Sequence, residues 1–179
     1  MWDELDLELM VIDVAMHERP TRITEMSTPT TDPGVYLVFY VGPLTTYQAV
    51  GDGRFPVYAG SAKSLSSRWR RHRKNCLPVR NLDGGAALWL IAVPLGSYAA
   101  ALYAERLLID RLRPLWNEPW LGGFGSRFPG ETRRSQAPPP WLLMHPGRRM
   151  TEGRSSVSTK LLGRRMREHL AATVLPLWS

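Results

Sequence analysis

The stretch Gly34-Val-Tyr-Leu-Val-Phe-Tyr-Val41 decides the fold of this 179-residue chain. Its branched and aromatic residues favour a β-strand. Residues 42–54, which contain Gly-Pro and Gly-Asp-Gly, are then expected to form a long hairpin connection. Phe55-Pro-Val-Tyr-Ala-Gly60 follows as a second, short strand. The sequence therefore predicts an antiparallel pair of strands at the start of the folded core.

Beyond this pair, helix and strand patterns alternate. The predicted elements are a basic helix at 64–74, a buried strand at 86–93 and a helix at 97–112. Ser64 and Ser97 can cap the two helices, and Pro114 stops the second. The order within residues 34–117 is β-β-α-β-α. It predicts an α+β core with a three-stranded, mostly antiparallel sheet flanked by helices.

Extensions flank this core on both sides. Residues 1–33 are predicted to form an acidic amphipathic helix at 3–19, followed by a linker rich in Thr and Pro. Residues 118–179 become rich in Gly and Pro and then end in an amphipathic helix, predicted at about 159–172.

Charge is unevenly distributed along the chain. The formal net charge is +7, but residues 1–32 contain eight acids and two bases, so the rest carries +13. An acid-free run contains Lys63, Arg68, Arg70, Arg71, Arg73, Lys74 and Arg80. The basic charge of the chain after residue 32 favours binding to a polyanion, and nucleic acid is the first candidate. A well-solvated surface, however, has the same composition. An anionic membrane is a weaker candidate because there is no long apolar span.

Cysteine content and the amino terminus bear on the compartment. The single cysteine, Cys76, excludes an internal disulfide framework and a multi-cysteine zinc site. The chain begins with Trp and acids rather than with a basic stretch followed by an apolar one, so no signal peptide is expected. We therefore expect a cytoplasmic protein.

A glutamate interrupts the apolar stripe of the helix predicted at 97–112. The stripe consists of Tyr98, Ala101, Leu102, Leu108, Ile109 and Leu112, and Glu105 fills the position missing between its halves. A buried carboxylate needs a cation, a hydrogen-bond donor or an opening to solvent. Glu105 could pair with an arginine from the helix at 64–74. Alternatively it could bind Mg²⁺, which prefers carboxylate oxygen and keeps most of its waters.

Arg68 and His72 are four residues apart, so they share one helix face. Arg68 could clamp a phosphate oxygen, and His72 could donate to a phosphate or tune a neighbouring phenol. Either could equally be an ordinary residue of a basic helix. Leu65 and Trp69 lie on a neighbouring face and are expected to hold this helix against the sheet.

Tyr36 and Tyr58 lie near the ends of the two predicted adjacent strands. A strand tyrosine usually packs in the core with its hydroxyl in water. To act as a general base, it needs its pKa of about 10 lowered, which a nearby metal or guanidinium could do.

In chain order these residues resemble the GIY-YIG nuclease superfamily. The first tripeptide is Gly34-Val35-Tyr36 and the second is Tyr58-Ala59-Gly60. The other matching residues are Arg68, ten positions after the second tyrosine, His72, Glu105 in ALYAERLLIDRLRP and Asn117 in RPLWN. Either tripeptide alone would carry no weight, but six residue types in this order on the expected elements are hard to obtain by chance.

Three further features are similar to a restriction-endonuclease branch that cuts the palindrome CCGCGG. They are the Gly-Pro at 42–43, the Gly-Gly-Phe-Gly at 122–125 and the His-Pro-Gly-Arg at 145–148. The chain also departs from the superfamily pattern. Ala59 replaces a branched residue, Ser61 stands where a lysine often follows the glycine, and the nearest lysine is Lys63.

The resemblance implies hydrolysis of a DNA phosphodiester with one divalent metal, Mg²⁺ or Mn²⁺. Glu105 would bind the metal, and Arg68 would stabilise the charge that develops on the phosphate. Tyr36 would be the general base, with His72 lowering its pKa or taking over the role. Tyr58 would orient the attacking water or a phosphate oxygen. Asn117 would hold the loop of the glutamate or a phosphate.

On this interpretation the chain is a type II restriction endonuclease for a short, GC-rich palindrome in double-stranded DNA. Residues 34–117 would be the nuclease core, and residues 118–179 a DNA-recognition loop and terminal helix. Cutting both strands implies a homodimer, and a cognate DNA methyltransferase would protect host DNA. The expected DNA contacts are Lys63, Arg70, Arg71, Arg73, Arg127, Arg133, Arg134, Arg148 and Arg149.

Two alternatives have less support. A repair or structure-specific nuclease would share the core but usually carries a separate DNA-binding domain, and the sequence contains no candidate for one. A non-catalytic DNA-binding module would be expected to have lost Glu105, Arg68 or a tyrosine, and all are present.

Overall fold

The architecture follows from a computed structural model that describes residues 10–14, 17, 19–25, 27–50, 55–122, 124, 137–147, 153 and 155–174. The strands are β1 (Thr21–Arg22), β2 (Gly34–Tyr40), β3 (Pro56–Ala62) and β4 (Leu88–Pro94). The helices are α1 (Leu65–Cys76), α2 (Tyr98–Leu112), α3 (Pro140–Met144) and α4 (Thr159–Val174). Residues 10–14 are also helical, and short 3₁₀ helices span Thr45–Val50, Arg80–Gly85 and Leu115–Asn117.

Strand β2 is the centre of the fold. The sheet order is β1-β4-β2-β3, every pairing is antiparallel, and all seven residues of β2 are buried. Complete burial means that both faces of the strand are covered, which explains why its sequence is continuously apolar rather than alternating. The antiparallel pairing of β2 with β3 is confirmed, with Tyr36 opposite Gly60.

The sheet has four strands instead of the predicted three. The extra strand, β1, lies in the segment 20–33 that the sequence predicted as a linker. Thr21 pairs with Leu90 and Arg22 with Trp89, while Ile23 is fully buried. Two residues are too few to show the period-2 pattern on which strand prediction depends. The helix predicted at 3–19 is confirmed only over 10–14, because most of its residues lie outside the described ranges.

Helices α1 and α2 begin at their predicted caps. The backbone N–H of Ser67 donates to Ser64 Oγ, and that of Ala100 donates to Ser97 Oγ at 3.1 Å. Each serine thus satisfies one of the N–H groups that a helix start leaves unpaired. Helix α2 ends at Leu112, and the next residue, Arg113, is left-handed with φ 45° and precedes Pro114. The predicted terminal helix is confirmed as α4.

The buried face of α2 is rotated from the predicted stripe. The buried residues are Ala101, Ala104, Leu108 and Leu112. Leu102 is exposed and Glu105 is half-buried, so this glutamate lies at the edge of the buried face and not in its middle. The prediction overlooked Ala104, a small residue that lets the helix approach the sheet closely.

A directional chain of hydrogen bonds ties the C-terminal segment to the core. Trp116 Nε1 donates to Tyr47 Oη at 2.8 Å, and this hydroxyl lies 2.6 Å from His145 Nε2. His145 Nδ1 lies 2.8 Å from Asn81 Oδ1, and Asn81 Nδ2 donates to the Met144 carbonyl at 2.7 Å. An indole can only donate and a carbonyl can only accept, so the chain has one consistent direction, with a neutral imidazole protonated on Nδ1.

The segment after α3 is fixed against the loop at 78–80. Gly147 has φ +127°, and a Cβ on it would lie 1.9 Å from the Pro78 carbonyl oxygen. Only glycine fits this close approach. Arg80 N donates to the Pro146 carbonyl at 2.9 Å. Helix α3, which was not predicted, buries Trp141 and Leu142 in the core. No helix among the described residues is long and apolar enough to span a bilayer.

The buried His145 makes stability depend on pH. Burial lowers the pKa of His145 from its ordinary 6.5 to about 3. The unfolded chain therefore binds a proton at this position below about pH 6.5, whereas the folded chain does not until about pH 3. Stability is complete above the unfolded pKa and falls as the pH falls through this window. Between pH 7 and pH 5 this residue should remove about 2 kcal/mol from the free energy of unfolding.

Urea unfolding of the wild type and of His145→Gln at several pH values measures this effect. The glutamine variant should be less stable at pH 7, and its deficit should shrink as the pH falls to 5. A deficit that is independent of pH would contradict a neutral buried His145.

Candidate active site

The Tyr36 side chain connects the sheet to helix α1. Directly paired residues point to the same face of a sheet, so Tyr36 and Gly60 share the face on which α1 packs. The Tyr36 hydroxyl is 2.8 Å from His72 Nε2, and the two rings are 5.2 Å apart. Both residues are buried. Glycine at 60 is required because a Cβ there would lie 2.5 Å from the Tyr36 hydroxyl. The glycine of the second tripeptide thus makes room for the tyrosine of the first.

Two further aromatic rings complete this cluster. The Tyr58 ring is 6.0 Å from Tyr36 and 6.4 Å from His72, and it is less buried than either. Phe124 stacks on the His72 ring with centroids 5.1 Å apart and planes 4° apart, and it packs edge-on against Tyr58 at 4.8 Å. The imidazole is therefore held by rings on several sides, and its orientation is well determined.

Burial sets the ionisation of the two tyrosines. It raises the pKa of Tyr36 well above 10, Tyr58 and Glu105 add to the increase, and the Arg68 guanidinium opposes it. Burial also raises the pKa of Tyr58, with Glu105 adding and Arg68 opposing. The sequence-based mechanism needs Tyr36 with a lowered pKa. In the protein without DNA or metal the pKa is raised instead, because loss of solvent outweighs the guanidinium.

Arg68 and His72 share one face of α1, as predicted. Together with Tyr36 they line one small enclosed cavity between helix and sheet. Leu65 and Trp69 are buried and hold the helix in place, also as predicted. Arg68 itself is half-buried, and its charge acts on both tyrosines. A guanidinium beside two phenols is suited to bind an anionic oxygen.

Glu105 reaches the site from the opposite face of the sheet. Ser61 is paired with Val35, so its side chain points away from the face of Tyr36 and Gly60. Ser61 Oγ donates to Glu105 Oε2 at 2.5 Å. Because β3 is an edge strand, the carboxylate is near enough to raise the pKa of both tyrosines. The expected pairing of Glu105 with an arginine of α1 is not found within the described residues.

The Asn117 side chain forms hydrogen bonds with the backbone of the edge strand β3, as a neighbouring strand would. The backbone N–H of Ala59 donates to Asn117 Oδ1, and Asn117 Nδ2 donates to the Ala59 carbonyl, both at 2.8 Å. The sequence predicted that Asn117 would hold the loop of the glutamate or a phosphate. In this structure its two hydrogen bonds hold β3 between Tyr58 and Gly60, and the contact with the glutamate loop or a phosphate stays a prediction.

The predicted DNA contacts on α1 are exposed to solvent. Arg70, Arg71 and Arg73 are exposed, and Arg73 lies over the Trp69 ring at 5.5 Å. Lys63 lies over the Tyr98 ring at 5.4 Å. The remaining predicted contacts, Arg127, Arg133, Arg134, Arg148 and Arg149, lie outside the described residues.

The donor set at Glu105 is compatible with a magnesium ion. Ser61 occupies one carboxylate oxygen, and Oε1 makes no hydrogen bond within the part of the chain that the structure describes. No group of three or more His, Cys, Asp or Glu side chains in that part could form a larger metal site. Mg²⁺ is commonly held by one or two carboxylates, a substrate phosphate and several waters. One half-exposed carboxylate fits that pattern.

Sequence reasoning missed two residues of the site. Ser61 was noted only as a departure from the expected lysine, and its partner could not be known without the register of β3 against α2. Phe124 lies in the Gly-Gly-Phe-Gly segment, which was noted for resemblance alone. Its stacking on His72 depends on the path of the chain beyond Asn117, which no local pattern predicts.

Comparison with known protein families identifies one match. Residues 52–170, more than half of the chain, match the family model described as the Eco29kI GIY-YIG domain. The matched range includes Tyr58, Arg68, His72, Glu105 and Asn117. It begins after Tyr36, which joins the site through its pairing with Gly60. No curated protein matches the chain.

The close approach of Tyr36 to Gly60 is testable by adding one methyl group. In Gly60→Ala the new Cβ would also lie 2.7 Å from Tyr58 Cε1, so both rings must shift. Overpacking of this kind costs about 1–3 kcal/mol. Gly96→Ala is the matched control, because a Cβ at that position meets open space. Thermal unfolding should show a lower melting temperature for Gly60→Ala alone; equal stability of the two variants would contradict the contact.

Proposed function

The chain belongs to the Eco29kI GIY-YIG domain family, and on this basis we propose that it is a type II restriction endonuclease. This is a family of restriction endonucleases, which makes DNA the substrate class. The proposed target is a short, GC-rich palindrome in double-stranded DNA. The observation that carries the proposal is the convergence of Tyr36, Tyr58, His72 and Glu105 on one edge strand, with the charge of Arg68 acting on both phenols.

Glu105 is the proposed holder of Mg²⁺, or of Mn²⁺ in its place. A divalent cation bound there would supply a Lewis acid to the scissile phosphate. The chain keeps this carboxylate at the edge of the buried face of α2, where solvent and substrate can reach it. Burial in the centre of that face would have required a permanent protein cation instead.

Arg68 is the proposed binder of the phosphate that is cut. Its guanidinium lies between helix and sheet, close enough to both tyrosines to oppose the rise that burial causes in their pKa values. A fixed positive charge needs little reorganisation when negative charge develops on the phosphate. Arg68 therefore stabilises the transition state more than the ground state.

Tyr36 and His72 are proposed to remove the proton of the attacking water together. A free phenolate at Tyr36 is unfavourable because burial raises its pKa. If Tyr36 donates its own proton to His72 Nε2 at 2.8 Å while it accepts one from water, no free phenolate forms. Tyr58, which is more exposed, orients that water. Cleavage then yields a 5′ phosphate and a 3′ hydroxyl.

A palindrome has two equivalent strands, so the proposed active form is a homodimer. Its twofold axis would coincide with that of the DNA site. A cognate methyltransferase acting on the same sequence would protect host DNA, without contact between the two proteins. The cytoplasm is the proposed compartment, since the DNA substrate and its methylation are found there.

The test is cleavage of supercoiled plasmid with Mg²⁺, followed by sequencing of the ends. The proposal expects discrete double-strand cuts at one palindrome. Cuts only at branches or lesions would favour a structure-specific nuclease, and no cuts at any site would favour a binding module.

Glu105→Gln should then reduce the cleavage rate at least about a hundredfold, because the amide cannot hold a divalent cation as a carboxylate does. Binding to the same DNA, measured by fluorescence anisotropy without metal, should change little. Glu168→Gln, which alters an exposed glutamate on α4, is the control and should cut normally. Normal cutting by Glu105→Gln would show that the metal is held elsewhere.

A further inference from the structure

The Ser61 hydroxyl is the closest contact of the proposed metal-binding carboxylate. Ser61 is buried at 7% exposure, next to Gly60 on β3, and its Oγ donates to Glu105 Oε2 at 2.5 Å. This bond joins the edge strand to helix α2. It is made on the face opposite Tyr36, while its neighbour Gly60 contacts Tyr36 on the other face. Consecutive residues of one strand thus locate two different parts of the site.

The hydroxyl differs from a lysine in one respect that matters for a cation. Both can donate to a carboxylate, but the hydroxyl is neutral, so the full negative charge of Glu105 is kept. An ammonium at position 61 would offset that charge. Hydrogen bonding of one oxygen also restricts the rotation of the carboxylate and leaves Oε1 without a partner within the described residues.

Lys63, the nearest lysine to the position where one is usual, contacts Tyr98 in this structure. Its ammonium lies over the Tyr98 ring in the first turn of α2. Tyr98 precedes Glu105 by seven residues, which is about 10 Å along a helix axis. Its charge is thus directed to the start of α2 rather than to the carboxylate.

We propose that Ser61 is the positioning residue of the divalent-cation site: its hydroxyl fixes Glu105 through Oε2 so that the carboxylate binds the metal with its full charge. This inference rests on the proposed nuclease function. Groups that orient a metal ligand typically contribute a factor of about 10 to 100 in metal affinity or activity. The contribution of Ser61 should therefore be visible in metal binding without DNA.

The experiment measures Mn²⁺ binding to the full chain by water-proton relaxation, with no DNA present. Ser61→Ala should bind Mn²⁺ about tenfold more weakly than the wild type. Ser61→Thr, which keeps the hydroxyl on a strand-compatible residue, should return to within about threefold. Ser66→Ala is the matched control, because Ser66 is also buried but lies on α1 beside Ser64. Thermal unfolding verifies that each variant is folded.

Plasmid cleavage gives a second measurement on the same variants. In Ser61→Ala the Mg²⁺ concentration for half-maximal cleavage should rise about tenfold, with a smaller loss of rate at saturating Mg²⁺. Mn²⁺ affinity within twofold of the wild type would overturn the proposal, and so would equal weakening by Ala and Thr. The Glu105→Gln variant distinguishes failure of the Ser61 proposal from failure of the nuclease proposal. If it loses Mn²⁺ binding and cleavage while Ser61→Ala keeps both, the nuclease proposal stands and this one fails.

Discussion

The free edge of β3 is the constraint on which the site depends. An edge strand leaves a row of backbone N–H and C=O groups unpaired, and these must be satisfied when they are partly buried. Asn117 supplies both an acceptor and a donor to Ala59, as a neighbouring strand would. The edge stays open at the same time, so Glu105 can approach from one face and the tyrosines from the other. A further strand here would satisfy the backbone but separate them.

At this edge the burial of Tyr36 opposes its proposed role in removing a proton. The aromatic packing that orients Tyr36 and His72 also raises the pKa of Tyr36, which disfavours the phenolate that a simple base would need. The charge of Glu105 adds to the rise in the pKa of Tyr36, and the charge of Arg68 opposes it. In the proposed mechanism, transfer of a proton from Tyr36 to His72 avoids the free phenolate that this balance disfavours. Precise placement and reactivity are thus reconciled by using two residues instead of one.

The core elements were predicted well because each has a sequence pattern long enough to be distinguished from chance. The run 34–41 is continuously apolar, and Ser64 and Ser97 precede clear helical periods. Strand β1 and helix α3 were missed because two and five residues cannot show a period. The face of α2 was misjudged because Ala104 was not counted as a core residue.

The candidate site was predicted in its residue types and in the proximity of His72 to Tyr36, but not in its other contacts. The resemblance to the GIY-YIG superfamily, in residue types and in their order, selected Tyr36, Tyr58, Arg68, His72 and Glu105. The partners of Asn117 and Ser61 depend on register, and one residue of slip would turn Ser61 to the other face of the sheet. The stacking of Phe124 on His72 is a long-range contact of the kind that local patterns do not contain.

The hydrogen-bond chain through His145 bears on how such enzymes can acquire new specificities. Its members come from four separated segments, so Tyr47 and Asn81 lose their partners around residue 145 if that segment is exchanged alone. Two polar side chains would then lose hydrogen bonds in the interior. A chimaera that borrows the C-terminal portion of a relative must therefore carry all of these positions together. Given the proposed recognition role of residues 118–179, a change of recognition elements requires a matching change of scaffold positions, which limits recombination as a route to new recognition sites.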